Sequence, residues 1–171
     1  MSSFDLERCN LAALNTLTKY PSIETYHVLG DKGRLKEECR TPPAHQILHG
    51  VEKIDGTNVR MLFLPDGRVV LGSRENLLWA DGDLFGDPAQ GIVDGLRATA
   101  VRLNGIRTHH SFVLYGEFYG GKVTAASKQY TSDPTKTAFR VFDLQFLSRE
   151  QLGWLGVRDL SQLAVWREGN Q

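Results

Sequence analysis

The stretch Val51–Arg60, which reads VEKIDGTNVR, decides the fold because it carries one lysine into a turn and a strand follows. Gly56, three residues after Lys53, lets the backbone bend. From Val59 onward the residues alternate in the rhythm of a β-strand. A lysine at such a junction acts as a covalent nucleophile when its amine is free, or it is a solvated surface lysine beside a hairpin turn. Motifs elsewhere in the chain distinguish these two interpretations.

Bulk composition is that of a globular protein. The chain has 171 residues, 41% of them hydrophobic and 23% charged, so we predict a single domain over residues 1–171 with an ordinary core. Its 20 basic and 20 acidic residues give a formal net charge of zero. A chain-wide basic surface for nucleic acid is therefore excluded, and any surface that binds phosphate must be local.

Location is predicted from what the N-terminus and the cysteines lack. Charged residues interrupt the apolar ones near the N-terminus, unlike a secretory signal, and no apolar run reaches the length of a membrane span. Cys9 and Cys39 are too few for a disulfide framework and lack the spacing of a metal site. We predict that both are reduced packing thiols in a cytoplasmic protein.

The hydrophobic pattern predicts a mixture of helices and strands. A helix is expected over residues 4–18, with Ser2, Ser3 or Asp5 as its cap, followed by an irregular segment to Pro43. Strands are expected over residues 46–54, 58–64, 69–73, 111–119 and 139–146. A second helix should run from Asp87-Pro88 to Gly105, and two short helices should follow near residues 148–151 and 159–166.

Glu117 lies within an otherwise apolar strand, in the sequence LYGEFYGG. Burying an unpaired carboxylate is costly, so this side chain needs a partner or must face water from an edge strand. The glycines that flank Glu117 favour a ligand, because they let it approach the backbone closely.

Basic residues cluster in two segments. Lys32, Arg34 and Lys36 are offset by Glu37 and Glu38, and they form either a solvated loop or an edge that contacts phosphate. Residues 122–136 are polar and carry three lysines against one acidic residue.

Four motifs stand in order along the chain: Lys53-x-Asp-Gly, Ser73-Arg74, the GEFYG of residues 116–120, and Phe142-Asp143. This order resembles the covalent nucleotidyltransferase superfamily of polynucleotide ligases and messenger-RNA capping enzymes. Thr57-Asn58 makes the first motif similar to that of the RNA ligase 2-type family, known from phages. The resemblance implies an α+β nucleotidyltransferase fold, the ATP-grasp-like adenylation domain of ligases, whose antiparallel sheets form a nucleotide cleft.

The resemblance also implies a chemistry centred on Lys53. This residue would attack the α-phosphate of ATP, expel pyrophosphate and hold AMP through a phosphoramidate bond. The AMP would then pass to a 5′-phosphate, and a 3′-hydroxyl would seal the RNA strand, as in nick sealing or RNA repair. Mg²⁺ or Mn²⁺ is expected, because a cation neutralises the charge that builds on the departing pyrophosphate.

The remaining site residues are implied in the same way. Glu52 and Ile54 would line the adenine pocket, and Phe142 would stack on the adenine. Asn58 and Arg74 would contact ribose, phosphate or the 5′-phosphate end of the RNA. Glu117 would accept hydrogen bonds from the ribose hydroxyls or organise the metal shell.

The sequence departs from the family pattern after Phe142-Asp143. Relatives continue for about another hundred residues with a Glu-Gly strand and a Lys-x-Lys strand. Here the last lysine is Lys136, and Glu168-Gly169 leaves no room for a following strand. We therefore expect a C-terminally shortened domain with weak adenylyltransferase activity on its own, since charge stabilisation of the transition state is worth orders of magnitude in rate.

Three interpretations follow from this pattern. The chain is an RNA ligase whose other segments are removed or lie on a second chain. Alternatively, it is a catalytically incomplete module that binds nucleotide or RNA, such as an inhibitor or decoy. The third interpretation is another member of the superfamily, a DNA ligase or a guanylyltransferase.

Overall fold

The computed structural model describes residues 4–23, 25–40, 47, 50–81, 83–86, 91–106 and 110–169. These residues fall into two compact units. The first unit is formed by the chain up to Tyr20 and from Ile54 onward, and the second is Pro21–Lys53. The prediction of a single domain over residues 1–171 stays a prediction.

The described strands form two antiparallel sheets. In chain order they are β1 His27–Leu29, β2 Leu35–Cys39, β3 Thr57–Phe63, β4 Val69–Ser73, β5 Leu77–Ala80, β6 Asp83–Leu84, β7 Ser111–Gly120 and β8 Thr137–Leu147. Strands β1 and β2 form a hairpin in the second unit, whereas the first unit holds a six-stranded sheet in the order β6-β5-β4-β3-β7-β8. The described residues form four α-helices, which are α1 Leu11–Thr18, α2 Ile92–Ile106, α3 Arg149–Gly153 and α4 Leu160–Gly169.

Both faces of the six-stranded sheet are covered, and β3 shows why. Successive side chains of a strand point to opposite faces. Val59, Met61 and Phe63 of β3 pack in one cluster with apolar residues of α2. Leu62 packs in a second cluster with residues of α1, α3 and α4. Consequently β3 carries buried apolar side chains on both faces, which explains the apolar run at its end, Met61–Phe63.

Arg60 connects this sheet to α1 from the second face. Its guanidinium is fully buried and donates to the backbone oxygen of Asn15 at 2.9 Å and to the hydroxyl of Thr18 at 3.2 Å, and it also contacts the Asn15 side chain. Burial lowers the pKa of Arg60 to about 10. A charged group in this position requires α1 to keep its C-terminal end against β3.

Helix starts follow ordinary capping chemistry. Asn10 caps α1 by accepting a hydrogen bond from the Ala13 backbone at 3.1 Å. Ser148 caps α3 in a capping box with Gln151. The predicted cap at Asp87-Pro88 lies outside the described residues. The predicted N-terminal helix is divided, because Asp5 caps a separate 3₁₀ turn, Leu6–Arg8, ahead of α1.

The structure confirms the α+β class and four of the five predicted strands, which are β3, β4, β7 and β8. The strand predicted over residues 46–54 is wrong for its described part, residues 47 and 50–54, which have no strand. Val51 is 88% exposed there, so its apolar side chain has no packed partner. The segment predicted as irregular holds β1 and β2.

Cys9 and Cys39 are both free thiols, and they differ in environment. Cys9 is half-buried against the cluster of α1 and α4, as predicted. Cys39 is exposed, so its prediction as a packing residue is wrong. Its sulfur lies 3.3 Å from Nδ1 of His27 across the β1–β2 hairpin. None of the described helices is both long enough and apolar enough to cross a membrane.

Candidate active site

The turn that follows Lys53 is fixed by hydrogen bonds from distant residues. The backbone N–H of Asp55 donates to the Tyr130 hydroxyl at 2.7 Å, and the Thr124 hydroxyl donates to the Asp55 carbonyl at 3.4 Å. The backbone N–H of Gly56 donates to Oε1 of Glu117 at 3.3 Å. Ile54, at the start of this turn, is buried. The residues that follow Lys53 are therefore held on β7 and on the segment after it.

Gly56 is a glycine because β7 leaves no room for a side chain. A Cβ at this position would lie 2.4 Å from the Phe118 carbonyl oxygen and 3.0 Å from Cγ of Glu117. Both atoms belong to a strand in the middle of the sheet, so neither can move away at low cost. The close approach brings the motif turn into direct contact with the carboxylate.

Strand register places polar residues in a row across the sheet. Asn58 of β3 is opposite Glu117 of β7, and Glu117 is opposite Arg140 of β8. Arg74 lies in the bend after Ser73, the last residue of β4, so it follows the end of the strand pairing. Residues directly opposite each other in an antiparallel pair share a face. The register thus brings together two predicted site residues, Asn58 and Glu117, and adds Arg140.

Asn58 has an unmet hydrogen-bonding group in this row. Its Oδ1 is buried and has no hydrogen-bond partner among the described residues. Leaving a buried acceptor unpaired costs about 1–3 kcal/mol, and buried polar side chains are paired in most proteins. A donor from a ligand, such as a ribose hydroxyl, would satisfy this oxygen.

Phe142 lies beside the row on β8 and is 47% exposed. Its ring meets Tyr20 edge-on, with centroids 5.1 Å apart, and Tyr20 meets Tyr115 at 4.9 Å. Burial, the charge of Asp143 and the hydrogen bond that the Tyr20 hydroxyl donates to the Asp143 carboxylate raise the pKa of Tyr20. An irregularity in the β7–β8 pairing falls at Phe142, so both Phe142 and Asp143 reach Tyr20. The Phe142 ring is thus oriented by Tyr20, which follows α1, and it remains partly exposed.

Arg74 is exposed at the turn between β4 and β5. Its neighbour Glu75 accepts a hydrogen bond from Lys19 at 2.8 Å, and this bond lowers the pKa of Glu75. Asn15 donates to the Glu75 carbonyl at 3.0 Å. The backbone next to Arg74 is therefore attached to α1, while the Arg74 side chain faces solvent.

Lys53 and Glu52 are the last residues of the second unit, and both are exposed. They precede the fixed turn directly in the chain. An exposed lysine is accessible to a nucleotide, as its predicted role requires. The roles of Lys53 and Glu52 stay predictions.

No sequence pattern pointed to Tyr130 or Thr124 as candidate site residues. Tyr130 is 75 positions from Asp55, and no local pattern reports a bond over that distance. The sequence indicated Arg140 only indirectly as a neighbour of the site, since this residue lies two positions before Phe142 in a predicted strand.

Metal binding has little support from the residues themselves. Within the described ranges, no group of three or more His, Cys, Asp or Glu side chains is arranged to hold an ion. Glu117 offers one carboxylate, and one of its oxygens already accepts the Gly56 N–H. At nucleotide sites Mg²⁺ usually keeps several waters and binds through one or two carboxylates together with substrate phosphates, and Glu117 is the carboxylate that would serve such an ion here. Magnesium dependence stays a prediction from the resemblance.

The sequence of this chain is similar to that of a known protein family. The sequence matches the RNA ligase family over residues 48–166, well over half of the chain. The chain belongs to the RNA ligase family. The match includes Lys53, the row of polar residues, Phe142 and the segment that fixes the turn. A search of curated proteins found no match.

Family membership establishes the coarse function. The match supports an RNA ligase-type function in general, with RNA as the substrate and with use of ATP. The idea that a second chain completes the site gains no support from the match or from the residues described here.

Proposed function

We propose that this RNA ligase-family protein forms a covalent lysyl-AMP at Lys53 and uses it to join 5′-phosphate and 3′-hydroxyl ends of RNA. The observation that carries the proposal is the turn after Lys53, which Glu117, Tyr130 and Thr124 hold by hydrogen bonds to Asp55 and Gly56. A nucleophile needs a fixed backbone, because misplacement of reacting groups by about 1 Å can cost a hundredfold in rate.

In the first step, the neutral amine of Lys53 attacks the α-phosphorus of ATP. A P–N bond forms, the bond to the bridging oxygen breaks, and pyrophosphate leaves with the electron pair while the amine loses a proton to solvent. In the second step, an oxygen of the RNA 5′-phosphate attacks the same phosphorus. The P–N bond breaks, and the Lys53 amine regains a proton. In the third step, the oxygen of the 3′-hydroxyl attacks the activated 5′-phosphate and its proton passes to solvent. A phosphodiester bond forms, the anhydride bond breaks, and AMP leaves with the electron pair.

The row on the sheet supports binding of the nucleotide. The buried Oδ1 of Asn58, which has no hydrogen-bond partner among the described residues, is an acceptor suited to a ribose hydroxyl, and the carboxylate-bearing Glu117 is directly opposite it in the sheet. Phe142 presents an exposed ring suited to stacking on adenine. Arg140 at the end of the row and the exposed Arg74 supply positive charge, which suits phosphate groups.

The test is incubation of the purified chain with ATP labelled at the α-phosphate, with Mg²⁺ or Mn²⁺, and in parallel with labelled GTP. We expect label from ATP to remain on the denatured protein, to resist alkali and to be released by acid, as a P–N bond requires. Lys53→Ala should abolish the label, while Lys36→Ala, a change at another exposed lysine, should leave it unchanged.

Other outcomes favour the other interpretations. Label only from GTP indicates a guanylyltransferase, and sealing of nicked DNA in preference to RNA indicates a DNA ligase. Retained ATP or RNA binding without any label indicates a catalytically incomplete binding module. Label that persists in Lys53→Ala would exclude Lys53 as the nucleophile.

A further inference from the structure

Residues 121–136, here called the basic loop, join β7 to β8 and carry an excess of positive charge. Lys122, Lys128 and Lys136 are exposed, and Asp133 is the one acidic residue between them. The whole chain has zero net charge, so this excess is a local property. A local excess of lysines is the usual electrostatic basis of a surface for nucleic acid.

Asp133 offsets only part of this positive charge, because its carboxylate pairs with Lys136 and not with Lys122 or Lys128. Oδ1 accepts hydrogen bonds from the Thr135 hydroxyl at 2.6 Å and from the Thr135 backbone at 2.9 Å, and these bonds lower the pKa of Asp133. Its other oxygen lies 3.8 Å from Nζ of Lys136 in an exposed ion pair. Lys122 and Lys128 form no ion pair within the described part of the chain. Both are therefore available to an external anion.

The backbone of the basic loop is ordered by its own hydrogen bonds. Thr124 and Ser127 form a capping box at the 3₁₀ segment Ala125–Gln129. The Ser127 hydroxyl, which is buried, donates to the Gly120 carbonyl at 2.9 Å. The loop leaves β7 through Gly120 at φ +83°, a conformation that favours glycine. Lys122 and Lys128 thus extend from a fixed backbone, which reduces the entropy lost on binding.

The inner side of the same loop holds the motif turn. Thr124 and Tyr130, which bond to Asp55, lie on either side of Lys128 in the sequence. The Tyr130 ring also packs edge-on against Tyr119 of β7, with centroids 5.0 Å apart. A polyanion bound by the outer lysines would therefore lie next to the residues that follow Lys53.

We propose that the basic loop binds the phosphate backbone of the RNA, through Lys122 and Lys128, beside the 5′-phosphate end that receives AMP. This inference rests on the proposed function, which places the RNA end at Lys53. Backbone phosphate contacts position an RNA without reading its sequence. The loop therefore contributes affinity that depends on salt and tolerates any sequence near the nick.

The experiment measures binding of a fluorescent nicked RNA duplex with a 5′-phosphate at several salt concentrations. The double variant Lys122→Gln/Lys128→Gln is compared with Arg97→Gln/Arg102→Gln on α2, whose arginines are also exposed and form no ion pair with described residues. Loss of two phosphate contacts should reduce the slope of log K against log salt by about 1.5 and the affinity at 0.1 M salt about tenfold or more. The α2 variant should bind like the unmodified protein.

Adenylation with ATP alone, measured on the same variants, separates this inference from the proposed function. The loop variant should form lysyl-AMP at the normal rate and at the normal ATP concentration. An unchanged salt slope, an equal effect of the α2 variant, or an unmodified protein that does not bind the duplex would overturn the inference. A raised KM for ATP in the loop variant would show that the lysines bind nucleotide phosphates instead. Absence of lysyl-AMP in every protein would count against the proposed function alone.

Discussion

At the scale of single residues, Gly56 is the most constrained position of the proposed site. Its backbone N–H bonds Glu117, and the space that a side chain would need is filled by β7. The glycine of the motif is therefore explained by packing as well as by the bend of the turn.

Gly56→Ala should displace the motif turn from β7, because the new Cβ would lie 2.4 Å from a backbone oxygen. We expect a loss of about 1–3 kcal/mol in the free energy of unfolding, and lysyl-AMP formation at least tenfold slower. Chemical denaturation and labelling with ATP measure the two effects. Gly105→Ala is the control, since a Cβ there meets no atom within 4 Å and a helix prefers alanine. If both variants label at the normal rate, the close approach has no role in the reaction.

Tyr130→Phe should slow adenylation while leaving the fold intact. The change removes only the oxygen that accepts the Asp55 N–H at 2.7 Å and keeps the ring on Tyr119. Loss of one hydrogen bond is worth about 0.5–1.5 kcal/mol, so the rate of lysyl-AMP formation should fall up to about tenfold with an unchanged KM for ATP. Tyr119→Phe is the matched control, because the Tyr119 hydroxyl has no hydrogen bond with the described residues. Equal rates for the two variants would refute the positioning role of Tyr130.

At the scale of elements, β8 is the edge strand of the sheet and exposes several large apolar side chains. Phe142 differs from the others because the irregularity in β8 turns it toward Tyr20. An exposed ring fixed by a neighbour is a suitable surface for a base.

Phe142→Ala should weaken ATP binding by about 1–3 kcal/mol, the usual value for loss of a base–aromatic stack. Phe146→Ala on the same strand provides the control. It is 61% exposed and contacts His110 and Phe112 instead of Tyr20. Equilibrium binding of a fluorescent ATP analogue measures both variants. Unchanged affinity in Phe142→Ala would remove this residue from the adenine site.

Elements were predictable where burial imposed a pattern. Strands β3, β4 and β7 carry recurrent apolar residues because the sheet packs against helices on both faces. Strand β8 was predicted from its apolar residues as well, although most of its side chains are exposed. The hairpin of β1 and β2 was missed because its strands are short and largely exposed. The prediction of a strand before Lys53 was wrong because apolar residues there are not buried. Val51, for example, is exposed and packs against no neighbour in the described part of the chain.

The candidate site was predictable only in part for a related reason. The order of the motifs predicts Lys53, Asn58 and Glu117 as site residues. The strand register places Asn58 opposite Glu117. The bonds that Tyr130 and Thr124 make to Asp55 depend on the path of the β7–β8 connection, which leaves no periodic trace in the sequence.

At the scale of the whole molecule, the pKa of Cys9 depends on how the N-terminal segment packs against the sheet. Burial, together with the charge of Asp66, raises the pKa of the Cys9 thiol from 9.0 to about 11. At a pH between 9.0 and about 11, the Cys9 thiol has lost its proton in the unfolded state and keeps it in the folded state. The free energy of unfolding should therefore fall as pH rises through this window.

Alkylation with iodoacetamide at pH 8 should accordingly proceed in two stages. Cys39 is exposed and should react first, while Cys9 should react only when the protein unfolds, since the pKa difference lowers its thiolate fraction about a hundredfold. Mass spectrometry in the presence and absence of guanidinium counts the modified thiols. Rapid modification of two thiols in the folded protein would mean that the N-terminal segment is not packed as described.

The irregularity at Phe142 has a consequence for how the gene can change. Because one extra residue lies on β8 between the partners of Tyr115 and Gly116, the strand on either side keeps its pairing with β7. Deleting that residue would leave the ladder intact and the sheet stable, yet it would remove the aromatic ring or turn it to the opposite side. A frame-preserving loss of a single codon is thus a change that this fold would tolerate and the proposed chemistry would not.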